Sequence, residues 1–556
     1  MALVATMLVA ACAPQATDRG TDASQTGQAA AKKRISVATN GNLFTVSGLL
    51  SVGNTGTATP GTAEVGRLVN AGLTIPGRTQ PLEPQLAEAV PTVENGLWKV
   101  LPDGRMETTW KIRAAARWQD GAPVTADDVL FITAIGQDPD LAFVRDPKLR
   151  LIDSIEAPDQ QTVLVRWKEL HIEADQLFGT PGTLPVPKHI LEEPYTTNKA
   201  NFLELPFWSA QFVGSGPYRI NRWEDGVGAI LAASDTYALC RPRIDEIEVK
   251  FIPSSPTLVA NILAGSIDMT LGRGLSEQQA AQLRDNWRDG ILSGFGSPPN
   301  VINAQYQNPT PPIVANVQFR RALLQALDRN ELASALTDGM GVIAHTGLPL
   351  DEPVYREIEK AAVKYDYDPR QAIQMIESLG YTRTADGVFQ DASGQKLGLE
   401  LRSSDKDLNV RTALAVANYW KLVGVPTENV VVPAARQADV EYRALYPSFD
   451  YGGTTGSLGS LRDLRRAEVP TPENSYRGRN RGGYVNGELE NLVDRYYVTI
   501  PMSERLNTLG SIYRILTDQV VPMFLYYNVT VVMVGNRLRN VSPDYFGNAH
   551  EWDVTT

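Results

Sequence analysis

Leu101 to Phe131, LPDGRMETTWKIRAAARWQDGAPVTADDVLF, holds three local signals in one run. Pro102-Asp103-Gly104 is turn chemistry: proline presets φ, aspartate bonds its own backbone and glycine accepts positive φ. Met106 to Ile112 alternates broadly between polar and apolar and carries Trp110, which predicts a half-buried strand. Trp118-Gln119-Asp120-Gly121 makes a second turn. Thr125 then opens a helix, where it can cap free amides, while Asp127 and Asp128 meet the positive end of the helix dipole. Taken alone, the run is an ordinary strand, turn and helix.

The whole chain sets the frame. It has 556 residues, too many for one core, and at about 100–200 residues per domain it predicts roughly three domains. Apolar residues make up 43% and charged residues 21%, the balance of a folded soluble protein. A net charge of −11 lacks the basic face that nucleic-acid binding needs. Cys12 and Cys240 form neither a metal motif nor a disulfide framework, and Cys240 reads as an inert packed thiol. His171, His189, His345 and His550 make no HxxxH or HExxH pair, so no metal or other cofactor is implied.

The first eleven residues, MALVATMLVAA, are apolar, uncharged and too short to span a bilayer, which fits the core of a signal peptide. Val9-Ala10-Ala11-Cys12 resembles a bacterial lipobox, with Cys12 the residue that takes the lipid. Residues 13–34 begin with a stretch rich in Ala, Thr, Gln, Ser and Gly, the composition of a flexible tether. The chain is therefore expected outside the cytoplasm, anchored to the cell membrane.

Several multi-residue motifs recur in a familiar order. Lys111-Ile112-Arg113, Trp118 before Asp120-Gly121, Pro123-Val124 and Thr125-Ala126-Asp127-Asp128-Val129 open the series. Leu184-Pro185-Val186-Pro187-Lys188-His189-Ile190, Val213-Gly214-Ser215-Gly216-Pro217-Tyr218 and Ala264-Gly265-Ser266-Ile267-Asp268 follow. Phe319-Arg320-Arg321-Ala322-Leu323 with Ala326-Leu327-Asp328-Arg329, Tyr367-Asp368-Pro369, Tyr484 to Asp494 and Asn548 to Trp552 complete it. This series resembles the extracytoplasmic solute-binding proteins of ABC importers, in particular family 5, the oligopeptide/dipeptide/nickel-binding type. The resemblance covers residues 35–554. On the residues' own terms, Gly-x-Gly-Pro at 214–217 permits a tight backbone crossing before a strand. It is neither a nucleophile elbow nor a dinucleotide loop. Asn316 to Asp338 carries an apolar stripe at helical spacing and reads as one helix, with Asp328 and Arg329 as surface or inter-helix pairing.

The resemblance implies an α/β fold of the large, type II periplasmic-binding-protein kind, with two lobes, a hinge and an extra subdomain. Its expected divisions are 35–75, 208–300 and 511–556 for lobe I, 76–207 for the extra subdomain and 301–510 for lobe II. It implies no enzyme, and permease transmembrane subunits as partners. The first strand should lead into the cleft, making Asn42, Leu43 and Phe44 candidate ligand residues. From the other lobe come Tyr451, Gly453, Thr454, Thr455 and Tyr476. Tyr526 and Tyr527 read equally as cleft wall or core. Peptide binders of the family often carry Trp and then Asp near the Tyr451 strand end; here Tyr and Gly/Thr stand instead. The solute expected is a peptide, an oligosaccharide or a similar polar compound. Arg462, Arg465, Arg466, Arg477, Arg479 and Arg481 make a basic run that reads as a solvated loop or as a partner for an anionic ligand group. A secreted carbohydrate-acting hydrolase with two distant carboxylates, or a ligand-loaded sensor partner, are the competing classes.

Overall fold

The computed structural model describes residues 32–50, 59–77, 82–141, 143, 146–272, 275–350, 352–436, 439–452, 458–542 and 546–555. Cys12, the tether up to residue 31, Gly453, Thr454 and Thr455, all singled out from the sequence, lie outside these residues. Within them, one sheet of eleven strands runs through both lobes. Its second-lobe end is Thr427–Val431, Leu399–Ser403 and Phe449–Gly452; its centre is Gly290–Ala304 and Met523–Gly535, with Val342–Ile343 at the side. Met269–Leu271, Arg34–Thr39, Glu246–Phe251, Gly228–Ala233 and Tyr218–Glu224 form the first-lobe end.

Two long strands join the lobes. Gly290–Ala304 and Met523–Gly535 pair antiparallel from Gly290 opposite Gly535 to Ile302 opposite Met523, with register shifts between Gly296 and Val301. Ile302, Met523 and Tyr526 pack with Phe319, Leu401, Trp420 and Phe449 in the second-lobe core. Val532 and Val534, further along the same strand, pack with Val37, Ile247, Trp208 and Trp552 in the first-lobe core. The chain therefore crosses back within this strand and not at residue 511. Helix Met502–Asp518 stays with the second lobe, because its Leu509, Ile512, Tyr513 and Leu516 are buried against Leu489, Val493 and Tyr497.

The extra subdomain is a separate four-stranded antiparallel sheet, Trp98–Val100, Met106–Lys111, Thr162–Trp167 and Ile152–Asp159. Met106, Thr108 and Trp110 alternate inward, as the pattern requires. Helix Ala126–Gln137 follows, capped by Thr125, whose amide donates to Asp128 Oδ2 at 2.8 Å. Asp128 does more than meet the dipole. It is buried, accepts from Trp118 Nε1 at 3.2 Å and accepts from the Lys188 amide at 2.8 Å. It thus pins the turn, the helix start and a segment sixty residues on. Burial pushes its carboxyl above the usual range despite these donors.

Other sequence expectations resolve by packing. The Gly214–Pro217 crossing is real: a Cβ on Gly214 would lie 2.0 Å from the Val69 carbonyl oxygen, and one on Gly216 2.5 Å from the Val69 carbonyl carbon. Residues 316–338 form two helices, Val317–Gln325 and Arg329–Leu336. The break falls where Asp328 turns its side chain onto the Glu331 amide at 2.9 Å and caps the second helix. Arg329 is not a surface residue. Its buried guanidinium donates to the carbonyls of Ala344, Phe524 and Tyr365 at 2.9, 3.0 and 2.8 Å.

Candidate functional site

A cavity of about 420 Å³ lies between the lobes. That volume falls in the range of small-molecule sites. Helix Thr62–Val69 of the first lobe buries Val65, Leu68 and Val69 and sends Arg67 to the cavity wall. The subdomain contributes 172–176, held by Leu177 and Phe178 in its own core and by Thr74 Oγ1, which donates to the Asp175 carbonyl at 3.3 Å. The second lobe supplies Glu352, Leu458, Tyr496 and, from helix Met502–Asp518, Met502, Arg505 and Leu509. Ile172 is itself buried among second-lobe side chains. A second space of about 30 Å³ within the first lobe also borders Arg67, but it is only large enough for ordered water.

Charges of both signs share the interlobe wall. Arg505 Nη1 donates to the Ile172 carbonyl at 3.2 Å. Burial lowers Arg67 from its ordinary value, against the pull of Glu64 one turn back. Burial pushes the Asp175 carboxyl up to about 7, although the Arg505 charge acts to lower it. His171, just before this segment, stacks on Trp167 with ring centroids 5.8 Å apart. Burial, together with the charges of Lys148 and Arg462, pushes it down to about 4. Leu458, Tyr496, Leu509 and Phe546 supply apolar wall between these groups. Such a chamber suits a polar solute carrying both a cationic and an anionic end. Among the described residues no group of three or more His, Cys, Asp or Glu is placed to hold a metal, and no helix is long and apolar enough to cross a membrane.

The structure distributes the sequence candidates differently. Asn42 is exposed and Phe44 is 55% exposed, whereas Leu43 is 2% exposed and belongs to the first-lobe core. Tyr451 is buried, with its hydroxyl donating to Asn300 Oδ1 at 2.5 Å. Tyr526 and Tyr527 are core residues: the first hydroxyl lies 2.8 Å from Thr412 Oγ1, and the second donates to the Thr346 carbonyl at 2.9 Å. Their polar ends are satisfied inside the protein, so neither offers a face to a solute here. Tyr476 is half-buried with φ of 56° in the basic run. In that run Arg481 pairs with Asp450 at 3.2 Å, Arg465 pairs with Asp494 at 2.5 Å, and Arg462 lies over the Tyr497 ring. Sequence reading missed Arg67, Asp175 and Arg505; none stands in a motif, and only folding brings them to one wall.

The fold and cleft define a two-lobed binding protein, and comparison gives its family. Bacterial extracellular solute-binding proteins, family 5, match over residues 82–458, and the chain belongs to that family. The oligopeptide-binding protein AppA of Bacillus subtilis is 25% identical over 437 residues, 76% of each chain. The structure of AppA in complex with a nonapeptide superposes with a TM-score of 0.62 at 21% identity, covering 94% of this chain and all of that one. HbpA2 from Haemophilus parasuis superposes with a TM-score of 0.74 at 16% identity, covering 94% and 100%. These two structures speak for the shared fold.

Proposed function

We propose that this chain is the extracytoplasmic solute-binding component of an ABC importer. It captures a short peptide or a similar polar zwitterion between its lobes and presents the closed form to the permease subunits. The observation that carries this reading is the interlobe cavity, whose wall sets Arg67 and Arg505 among Glu173, Asp175 and Glu352. The peptide-binding name of the Bacillus relative supports the solute class. Asn42 and Phe44, solvent-exposed just past strand Arg34–Thr39, are proposed outer contacts, joined by Tyr476, Gly453, Thr454 and Thr455 from the other lobe. Cys12 is the proposed lipid attachment site, with the residues after it as tether.

A thermal-shift screen against peptides, oligosaccharides and metal chelates tests the function. Peptides should raise the unfolding midpoint without being broken down. A ligand at 100 times its Kd adds roughly 2.7 kcal/mol of stability. A shift with oligosaccharides alone would move the solute class, and breakdown of the ligand would favour the hydrolase reading. Retention of the protein in the membrane fraction, lost in Cys12→Ser, tests the anchor.

A further inference from the structure

His171 sits at the seam between the lobes. Its ring stacks on Trp167, the last residue of subdomain strand Thr162–Trp167, while the next residue, Ile172, is buried among second-lobe side chains. The imidazole is shut in. The residue is 6% exposed, and among the described residues neither Nδ1 nor Nε2 has a hydrogen-bond partner. A proton added to this ring would bring a charge and a second donor into a place that offers neither an acceptor nor water. Cations flank it from both sides. Lys148, in the subdomain segment Pro147–Leu151, and Arg462, in the second-lobe segment Leu458–Leu464, both act against an imidazolium. Arg462 lies over the Tyr497 ring at 4.3 Å, and its Nε is also buried without a partner. Arg505, one residue further along, is bound to the Ile172 carbonyl. Two carboxylates pull weakly the other way. Asp146 is already paired with Lys148 at 3.4 Å, and Glu173 stands 3.9 Å from Nε2, beyond hydrogen-bond reach, with 32% of its side chain exposed.

We infer that His171 is a pH-sensitive latch: the neutral ring lets the lobes close, and a proton gained by the ring parts them. Opening withdraws Arg462 and the second-lobe side chains packed around Ile172 and gives the ring water. The open form therefore takes a proton that the closed form refuses. Burial, helped by Lys148 and Arg462, holds the ring near 4 in the closed form, well below the ordinary histidine value of 6.5 that it regains in water. The closed form keeps its full advantage above about pH 6.5 and loses it as pH falls toward 4. Between about pH 7.5 and about pH 5.5 the closed-to-open ratio should fall roughly tenfold. The inference rests on the lobe closure in the reading above, and not on which solute the cleft takes.

The experiment uses the full chain without solute. Small-angle scattering follows its radius of gyration from about pH 7.5 to about pH 5.5, and the carbon-13 signals of its labelled histidine rings are recorded over the same range. The wild-type radius should rise across that window, and one imidazole should become protonated in step with it. His171→Phe keeps a ring for Trp167 but cannot take a proton, so it should hold its starting radius throughout and lack the titrating signal. His171→Gln serves the same purpose if the Phe variant folds poorly. A constant wild-type radius overturns the latch, as does a variant that opens as the wild type does. Opening with no imidazole titrating beside it also overturns the latch, and the wild-type protein gives that result without any variant. No solute enters the measurement, so each of these failures leaves the solute-binding reading intact.

Discussion

Arg505 and Ile172 meet across the cleft: the guanidinium on a second-lobe helix donates from Nη1 to a first-lobe subdomain carbonyl at 3.2 Å. The Ile172 side chain is 3% exposed among second-lobe residues, so one residue provides both a hydrogen-bond acceptor and an apolar knob to the opposite lobe. A charge-assisted hydrogen bond of this kind contributes about 1.5–3 kcal/mol. Arg505→Ala should therefore shift the closed–open balance toward open by roughly tenfold or more. Small-angle scattering of the ligand-free protein should show a larger radius of gyration. An unchanged radius would mean that Ile172 packing alone holds the lobes.

The pH dependence of stability should differ between wild type and Asp175→Asn. The folded-state carboxyl titrates near 7, above the ordinary aspartate value of 3.8. A raised acid pKa favours the folded state while the group is protonated. That contribution is complete below about pH 4 and is lost as pH rises through 7. The wild-type unfolding free energy, relative to the Asn variant, should fall across that window, by at most about 1.4 kcal/mol per pH unit. A flat difference between the two proteins from pH 4 to 8 would refute the burial of the Asp175 carboxyl.

Arg329 should be among the costliest arginines to remove. Arg329→Met strips the donors from three carbonyls at once and should cost about 3 kcal/mol or more. Arg321 is partly exposed and donates to the carbonyl and the carboxylate of Asp518, so Arg321→Met should cost less than half as much. Denaturant midpoints of the two variants measure the difference.

Gly214→Ala should fail where Gly182→Ala succeeds. The first places a methyl 2.0 Å from the Val69 carbonyl oxygen, while the second meets nothing within 4 Å. Overpacking against rigid backbone should cost about 3 kcal/mol or more at Gly214. Soluble yield and thermal midpoint report both, and a Gly214→Ala protein of wild-type stability would show that the crossing can yield.

Strand and cap signals were legible because they are local. Met106 to Lys111 shows its alternation in sequence, and Thr125 with Asp128 shows its cap spacing. The break at Asp328 was harder, because an apolar stripe runs through it and only the cap geometry separates the helices. The cleft was least legible. Residues 67, 175 and 505 share a wall only through tertiary packing, and no periodicity links them. Tyr526 and Tyr527 stayed open in the sequence for a related reason: their hydroxyl partners, Thr412 and Thr346, lie more than a hundred residues away. Without those partners in view, an aromatic on a strand reads equally as wall or core.

The paired strands Gly290–Ala304 and Met523–Gly535 have a mechanical consequence. Because both connections belong to one antiparallel ladder, the lobes are coupled like the leaves of a book bound on a single spine. Sliding or twisting one past the other would break a run of backbone bonds, whereas bending at the irregular register between Gly296 and Val301 breaks few. A captured molecule is thereby converted into one number, the opening angle, and anything docking on the outer faces can sense occupancy without ever touching what is inside.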